Sequence, residues 1–430
     1  MAIRQKVAKI LSSDITKNSA KLLSANLLVQ IIGLLVYPIL TRLYSPENFG
    51  LFNLFISISG FLVLLATAEF QNAILLPKEQ EKAVACFHTG FFIAIFVCVV
   101  LVCSIPFSEQ IANFFNAPIL AHWYWTVPVF VFISSFWTLI NYWYTREKLF
   151  NQIRNYQITQ CLTNATAKCG FGFVKLTGGG LIYSALISPI IALTVSIILT
   201  FKNHLKPLLS FNKKNCLSVL HEYSNFPKFS LPRALLNFFS GNILIYILTP
   251  FYGLKEIGIL GMAITLAFRP IELLSNSLYQ VLFQKTSEKV TNRESIRKYY
   301  RKFLLITSSV VIPCFTIVCL FLPDVTEFLL GQEWRKTGEC IFWMFPWLFA
   351  VILTSPISYL PDIFQKQKIG LLFEIALIAA RIVAIFLGIF LDEGFFLIIF
   401  LYSFASAIVI GLQLNWYCKL INNYEQEILQ

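Results

Sequence analysis

The sequence predicts an all-α membrane protein of about twelve transmembrane helices, arranged as two six-helix bundles related by a parallel repeat. Three observations lead there. Of 430 residues, 57% are hydrophobic and 13% charged, with a mean hydropathy of +0.70, whereas a soluble domain carries about 25% charged residues. Apolar runs long enough for a bilayer core recur near 20–42, 50–76, 84–106, 123–145, 156–176, 181–201, 229–251, 257–284, 303–323, 339–361, 370–391 and 394–418. Finally, Lys and Arg alternate between the segments joining these runs. Twenty-six of the 34 fall at the two termini and in every second connection, including 202–233 and 285–302. Only Arg42, Lys175, Lys255, Arg335 and Lys336 fall in the other set. The positive-inside rule then predicts that both termini are cytoplasmic. The net charge of +12 is largely this collar, which suits anionic lipid headgroups and needs no nucleic acid.

The first span follows a basic leader and is too long for a cleaved signal, so it is expected to remain in the protein. Asn26, Gln30, Gly33, Tyr37 and Thr41 share one face of it, and Pro38 allows a bend. Span two carries Asn53, Ser57, Gly60, Thr67 and Gln71 at the same spacing, beside Glu69. Span five is the most polar and contains Lys168. Span seven presents Arg233, Asn237 and Ser240. Span eight places Thr265, Arg269, Glu272, Asn276 and Gln280 at i, i+4, i+7, i+11 and i+15. Such stripes either glue helices together by hydrogen bonds, worth about 0.6 kcal/mol each, or line a wet cavity. A cation at mid-span costs about 2.5–3.5 kcal/mol to insert, so Arg269, Lys168 and Arg381 are candidates to face an anionic substrate. Their alternatives are pairing with Glu272, for Arg269, and with Glu374, for Arg381. Glu272, Glu69 and Glu374 are the candidate ligands for a coupling ion. The charged run 285–302 reads as a helix lying at the membrane interface.

The halves align weakly but in order. Tyr44 and Gly50 match Tyr252 and Gly258 at an offset of 208, and Pro128 matches Pro346 at 218, which puts Lys148 on Lys366. Six spans per half give both halves the same orientation. The domains expected are 1–201, a cytoplasmic linker at 202–228, and 229–430. The ten cysteines lack metal-ligand spacing and read as small buried hydrophobes. No nucleotide loop, metalloprotease motif or Ser/His/Asp set is present, so no cofactor, no metal and no enzymatic reaction are expected.

Pro38-Ile39-Leu40-Thr41-Arg42-Leu43-Tyr44-Ser45-Pro46-Glu47-Asn48-Phe49-Gly50-Leu51-Phe52 resembles the opening signature of Wzx-type polysaccharide flippases, in the multidrug/oligosaccharidyl-lipid/polysaccharide exporter superfamily. Ala73–Lys78 and the stretch from Arg269-Pro270 to Phe283 and Ser287-Glu288 resemble the same family. One departure is Glu69-Phe70-Gln71, where many relatives carry a cation. The resemblance implies transfer of an undecaprenyl-diphosphate-linked oligosaccharide across a bacterial inner membrane for O-antigen or capsule-like polysaccharide. Implied partners are membrane lipids, a polysaccharide polymerase and a chain-length regulator. Arg269 would hold the diphosphate, with Lys168, Arg381, Asn26, Gln30, Asn53, Asn237 and Asn276 lining the substrate path. Two competing functions are an ion-coupled exporter of drugs or organic cations, which would favour acidic cavity residues, and a membrane glycan polymerase or ligase, which would need a large external loop.

Overall fold

The computed structural model describes residues 14–176, 178–391 and 394–429; the side chains of residues 14–26, 203, 280, 291, 311, 312, 314–316, 318–320 and 429 fall outside the description. All regular structure among the described residues is helical, with no strand, as the composition predicts. Among the described residues, seven helices are long and apolar enough to cross a membrane, or eight if the bent pair counts as one span. The run Leu231–Thr291 holds two of the expected spans, and the expected first, fifth and ninth spans fall on the helices Asp14–Leu43, Phe150–Phe173 and Arg297–Leu330.

Before the linker, the helices are α1 (Asp14–Leu43), α2 (Pro46–Thr67), α3 (Gln80–Cys103), α4 (Thr126–Arg146), α5 (Phe150–Phe173) and α6 (Gly179–Thr200). The run Leu231–Thr291 breaks at Gly253, whose backbone is non-helical at φ 75° and ψ 178°. It therefore contains α7 (231–252) and α8 (254–291). Next come α9 (Arg297–Leu330), α10 (Arg335–Trp343 with Phe345–Thr354, at the bent pair), α11 (Gln367–Leu391) and α12 (Phe395–Leu429). By packing, the chain forms two compact units, Met1–Gly258 and Ile259–Gln430.

Two segments differ from expectation. Span two stops at Thr67 rather than running to 76, because Ala68 and Glu69 both turn left-handed at φ 47° and 60°. That turn drops Phe70, fully buried, into a core with Phe87, Leu139 and Trp143, and the Asn72 amide donates to the Glu69 carboxylate at 2.5 Å. Burial of a large aromatic offsets the cost of two non-glycine residues in that region. The run 285–302 is also not one interfacial helix. Its first part continues α8, Arg293 turns at φ 54°, and α9 begins at Arg297.

The repeat is written in the backbone. Asn116, Lys148 and Lys175 have positive φ, and so do Gly331, Gln365 and Gly394 at offsets of 215, 217 and 219. After α4, the Leu149 N–H donates to the Tyr144 carbonyl at 2.8 Å. After α10, the Lys366 N–H donates to the Pro361 carbonyl at 2.7 Å. Both are the wide 6→1 bond of a Schellman cap, so Lys148 corresponds to Gln365, one residue from the sequence match. The extended Ser45 before α2 corresponds to Gly253 before α8 at the offset of 208.

These equivalent helices also touch. A Cβ built on Gly50 would lie 1.8 Å from the Leu254 carbonyl oxygen, and one built on Gly258 would lie 1.8 Å from that of Pro46. Leu254 is the repeat mate of Pro46, as Gly258 is of Gly50. The contact is thus reciprocal, as a local two-fold axis requires, and only glycine permits backbones this close.

Each unit has a hydrophobic core where helix ends meet their connecting segments. In the first, α3, α4 and the segment after α6 meet. The Trp143 indole donates to the His204 carbonyl at 3.1 Å, and the Tyr144 hydroxyl shares hydrogen bonds with Ser196 at 3.0 Å and Thr200 at 2.8 Å. The linker is itself ordered: Asn212 accepts from the Lys214 and Asn215 N–H groups and so starts a helix, Lys213–Glu222. In the second unit, Thr286, Tyr300 and Tyr359 join their hydroxyls in one buried network. There the Glu425 carboxylate accepts from the Ile296 and Arg297 N–H groups at 2.7 and 3.0 Å, satisfying orphan donors where α9 begins.

Candidate functional site

The α8 stripe survives folding. α8 is helical through Pro270, so the expected spacing of Thr265, Arg269, Glu272 and Asn276 holds in space. Its other faces carry Ile259, Leu260, Met262, Ala263, Ile271 and Leu282, all buried. On the stripe, Thr265 and Arg269 are half-buried while Glu272 and Asn276 are exposed; the Gln280 side chain lies outside the described residues. The Thr265 hydroxyl turns back to the Gly261 carbonyl at 2.8 Å. Among the described residues, Arg269 and Glu272 form no ion pair. A guanidinium, a carboxylate and an amide are thus left open along an apolar span, where hydrocarbon would leave all three unsolvated.

Arg381, on α11, is in a different situation. It is 5% exposed, its Nε donates to Ser406 Oγ at 3.0 Å, and its guanidinium lies 5.1 Å from the Trp347 ring centre and 5.0 Å from that of Tyr402. Those rings meet edge to face at 5.3 Å. Trp347 also packs on Phe268 at 4.7 Å, next to Arg269 in the chain. Arg381 therefore reaches the stripe through an aromatic stack. Glu374 is exposed and makes no ion pair among the described residues.

In the first unit, Lys168 on α5 is half-buried and its ammonium sits 4.7 Å over the Phe52 ring of α2. The Tyr44 hydroxyl donates to the Lys168 carbonyl at 2.7 Å. The next residue after Phe52 is Asn53, whose Nδ2 is buried without a hydrogen-bond partner; Gln30 Oε1, Gln71 Oε1 and Gln157 Oε1 are likewise unmatched. Buried polar atoms are nearly always satisfied, so these are points where water or a hydroxylated ligand can bind. Asn26 is helical, but its side chain lies outside the described residues. Asn237, on α7, is exposed.

Other polar residues act as glue. Asn164 donates to the Ser184 carbonyl at 3.2 Å and to Ser188 Oγ at 3.0 Å, tying α5 to α6. Ser57 donates to Asn242 Oδ1 at 2.9 Å, and the Tyr246 hydroxyl donates to the Ser57 carbonyl at 2.6 Å, tying α2 to α7. Sequence reasoning missed Asn242, Tyr246 and Phe52. The first two lie one turn apart on span seven, but on a different face from Arg233 and Asn237; Phe52 belongs to the Pro38–Phe52 stretch but, being apolar, lies on no polar stripe.

Among the described residues the chain is all-α, with an internal repeat and polar stripes along its spans, and solved structures share this fold. The chain is similar to the lipid II flippase MurJ in an inward closed conformation (TM-score 0.67, 14% identity, covering 95% of this chain and 90% of that one). It is also similar to a multidrug resistance MATE family transporter in an inward-facing conformation (TM-score 0.64, 13% identity, 94% and 99% covered). A third match is a Pyrococcus furiosus transporter of the superfamily, reported with a binding pocket of reversed polarity (TM-score 0.54, 14% identity, 97% and 98% covered). At these identities the likeness is one of fold.

The family itself is more specific. The profile of the family described as polysaccharide biosynthesis protein matches residues 39–339, and the chain belongs to that family. A Klebsiella pneumoniae relative, an uncharacterized membrane protein in the cps region, is 21% identical over 317 residues, which is 72% of this chain. The chain spans 63% of that relative's length. The resemblance read from Pro38–Phe52 is borne out, and most of that stretch lies within the family match.

Proposed function

We propose that this protein is a flippase that carries an undecaprenyl-diphosphate-linked oligosaccharide from the cytoplasmic to the outer leaflet of a bacterial inner membrane, for O-antigen or capsule-like polysaccharide. The observation that carries the reading is the open Arg269–Glu272–Asn276 stripe on an otherwise apolar span, in a chain of the polysaccharide biosynthesis family. A sugar chain on a diphosphate cannot cross hydrocarbon unaided, because its hydroxyls and charges would lose water without replacement. Amides and hydroxyls along a lateral path replace that water, while the lipid tail stays in the bilayer.

In this reading Arg269 binds the diphosphate through its planar donors. Gln30, Asn53, Asn237 and Asn276 offer neutral hydrogen bonds to the glycan, and Lys168 adds a second cation. Arg381 acts on the site through Trp347 and Phe268. Glu272 is the foremost candidate for a coupling ion because it is exposed beside Arg269, ahead of Glu69, which is engaged by Asn72, and of Glu374. Alternating access, cytoplasmic termini, and a polymerase and chain-length regulator as partners belong to the same proposal.

The test is Arg269→Ala in the native host. We expect lipid-linked oligosaccharide to accumulate on the cytoplasmic leaflet and surface polysaccharide to fall by at least tenfold, with protein level unchanged. Arg269→Lys keeps the charge but loses the fork and is expected to restore export only in part. Normal export by Arg269→Ala would remove Arg269 from the mechanism. Altered drug tolerance with unchanged polysaccharide, after deletion of the gene, would move the protein to the drug exporters.

A further inference from the structure

In each unit the last helix of the half is extended beyond its apolar span, and that extension is held against the third helix. After α6 the chain continues through Phe201–Leu205 and Lys206–Leu209 before the linker helix begins. Neighbouring helices hold its backbone. The Trp143 indole of α4 donates to the His204 carbonyl. Four residues further on, the His88 ring of α3 meets the Leu208 carbonyl, with Nε2 at 2.8 Å; a carbonyl only accepts, so His88 is the donor. Phe211 then packs edge to face on His88 at 5.6 Å and on Phe92 at 5.4 Å. Glu222, at the end of the linker helix, reaches Lys82 on the first turn of α3 at 3.9 Å. Leu205 and Val219 are buried in the same core as Trp143.

In the second unit the end of α12 is held against the start of α9 and the turn before it. The Glu425 carboxylate accepts from the Ile296 and Arg297 N–H groups, and the Tyr424 hydroxyl reaches the Lys289, Val290 and Glu294 carbonyls at 3.5, 3.5 and 3.3 Å. The repeat relates the two arrangements. At the offset of 217 that maps Lys148 on Gln365, Gln80 at the start of α3 falls on Arg297 at the start of α9, and Leu208 falls on Glu425. Trp143 and His204 fall on Leu360 and Ile421, which share a buried core. The bonding is reversed, however. In the first unit a side chain of the third helix grips the backbone of the extension, and in the second a side chain of the extension grips the backbone of the third helix. Two unlike bonding schemes at one repeat position point to a constraint on geometry. Parting either junction would strand backbone groups, the Leu208 carbonyl in one unit and the first N–H groups of α9 in the other.

We propose that both junctions stay closed in every conformation the protein adopts. The linker through Glu222 is then a fixed part of the first unit and the end of α12 a fixed part of the second. Neither unit opens between its sixth helix and its third at this end, so a lipid-linked substrate enters by another route.

The first arm of the test rests on the flippase reading. Purified full-length Lys82→Cys/Glu222→Cys is joined by a short bismaleimide, reconstituted, and scored for flipping of an undecaprenyl-diphosphate-linked sugar. Each single variant, treated identically, controls for the native cysteines. We expect the joined protein to flip at the rate of the single variants; loss of flipping on joining, with the single variants active, would overturn the proposal. The second arm is hydrogen exchange and needs no transport. Residues 204–222 should exchange as slowly as the first turns of α3. His88→Phe keeps a ring beside Phe92 and Phe211 but has no donor, and should speed exchange over 204–222 about tenfold, the effect of losing one ordinary hydrogen bond, while 417–425 is unchanged. Exchange of 204–222 at the rate of an open chain, or no response to His88→Phe, would overturn the proposal. Absence of flipping in every form, with the expected exchange pattern, would refute the flippase reading and uphold the junctions.

Discussion

Gly258→Ala is the substitution whose outcome the structure specifies most tightly. The new methyl would lie 1.8 Å from the Pro46 carbonyl oxygen, 2.7 Å from its carbon and 2.8 Å from the Gly50 nitrogen. All three are backbone atoms, so no side chain can swing aside. Restoring ordinary contact near 3.5 Å requires α2 and α8 to part by on the order of 1.5 Å at the crossing. Inserting a methyl into a packed site costs about 1–3 kcal/mol. Against that, alanine is the better helix former by about 1 kcal/mol.

The control lies on α7, in the same continuous run. A Cβ on Gly241 meets nothing within 4 Å, so Gly241→Ala should leave stability unchanged or slightly raised. We therefore expect opposite signs from one substitution made at two positions, read as melting temperature of the detergent-solubilised protein. Gly258→Ala should fall by a few degrees, on the scale of about 2–4 °C per kcal/mol for chains of 150–250 residues. Gly50→Ala should fall similarly. Because either methyl already splays the same crossing, the double variant should lose less than the two single losses combined. If Gly258→Ala melts together with Gly241→Ala, the reciprocal crossing is wrong.

Two further expectations concern the second unit. Arg381→Lys keeps the charge but loses the flat guanidinium that lies over Trp347 and Tyr402, and should lower the melting temperature; Glu374→Gln, at an exposed position, should not. Equal losses would point to an Arg381–Glu374 pair instead. Glu425 lies beyond the apolar run of α12. Burial raises its carboxyl pKa, but the N–H groups of Arg297 and Ile296 and the Ser295 hydroxyl outweigh that and hold it below the ordinary value of 4.5. The folded state then binds fewer protons than the unfolded one in that range. Its stabilising contribution is complete above pH 4.5 and is lost as pH falls through the lower folded value. Glu425→Gln should remove that acid-side dependence, and Glu425→Ala should speed hydrogen exchange at Ile296 and Arg297 by about tenfold, as loss of roughly 1.4 kcal/mol of capping implies; unchanged exchange would show that the contact does not hold the helix end.

Much was legible in the sequence because membrane insertion is itself a sequence-level constraint. Without water, a span must satisfy its own backbone, so apolar length maps directly onto helices. Spacing along one helix is also local, which is why periodicity alone puts Thr265, Arg269, Glu272 and Asn276 on one face of α8. The sequence likewise held the repeat, since Tyr44–Gly50 and Tyr252–Gly258 carry Tyr and Gly at the same spacing. Other features needed three dimensions. Arg269 and Arg381 are both mid-span cations in sequence, yet one is left half-open and the other is enclosed by rings from α10 and α12, helices tens of residues away. Periodicity within a helix says which residues share a face. It does not say what covers that face.

The same limit explains the glue residues and the breaks. Asn242 and Tyr246 gain their roles only because α7 lies beside α2, and the left-handed turn at Ala68–Glu69 is stable only because a distant core receives Phe70. By itself, the sequence determined that this chain crosses the membrane many times, repeats itself and lines its spans with polar stripes, because hydrophobicity and spacing are properties of neighbours in the chain. Tertiary structure alone decided which charges stay open, which glycines meet and where the helix extensions are held, because burial and close approach are properties of neighbours in space.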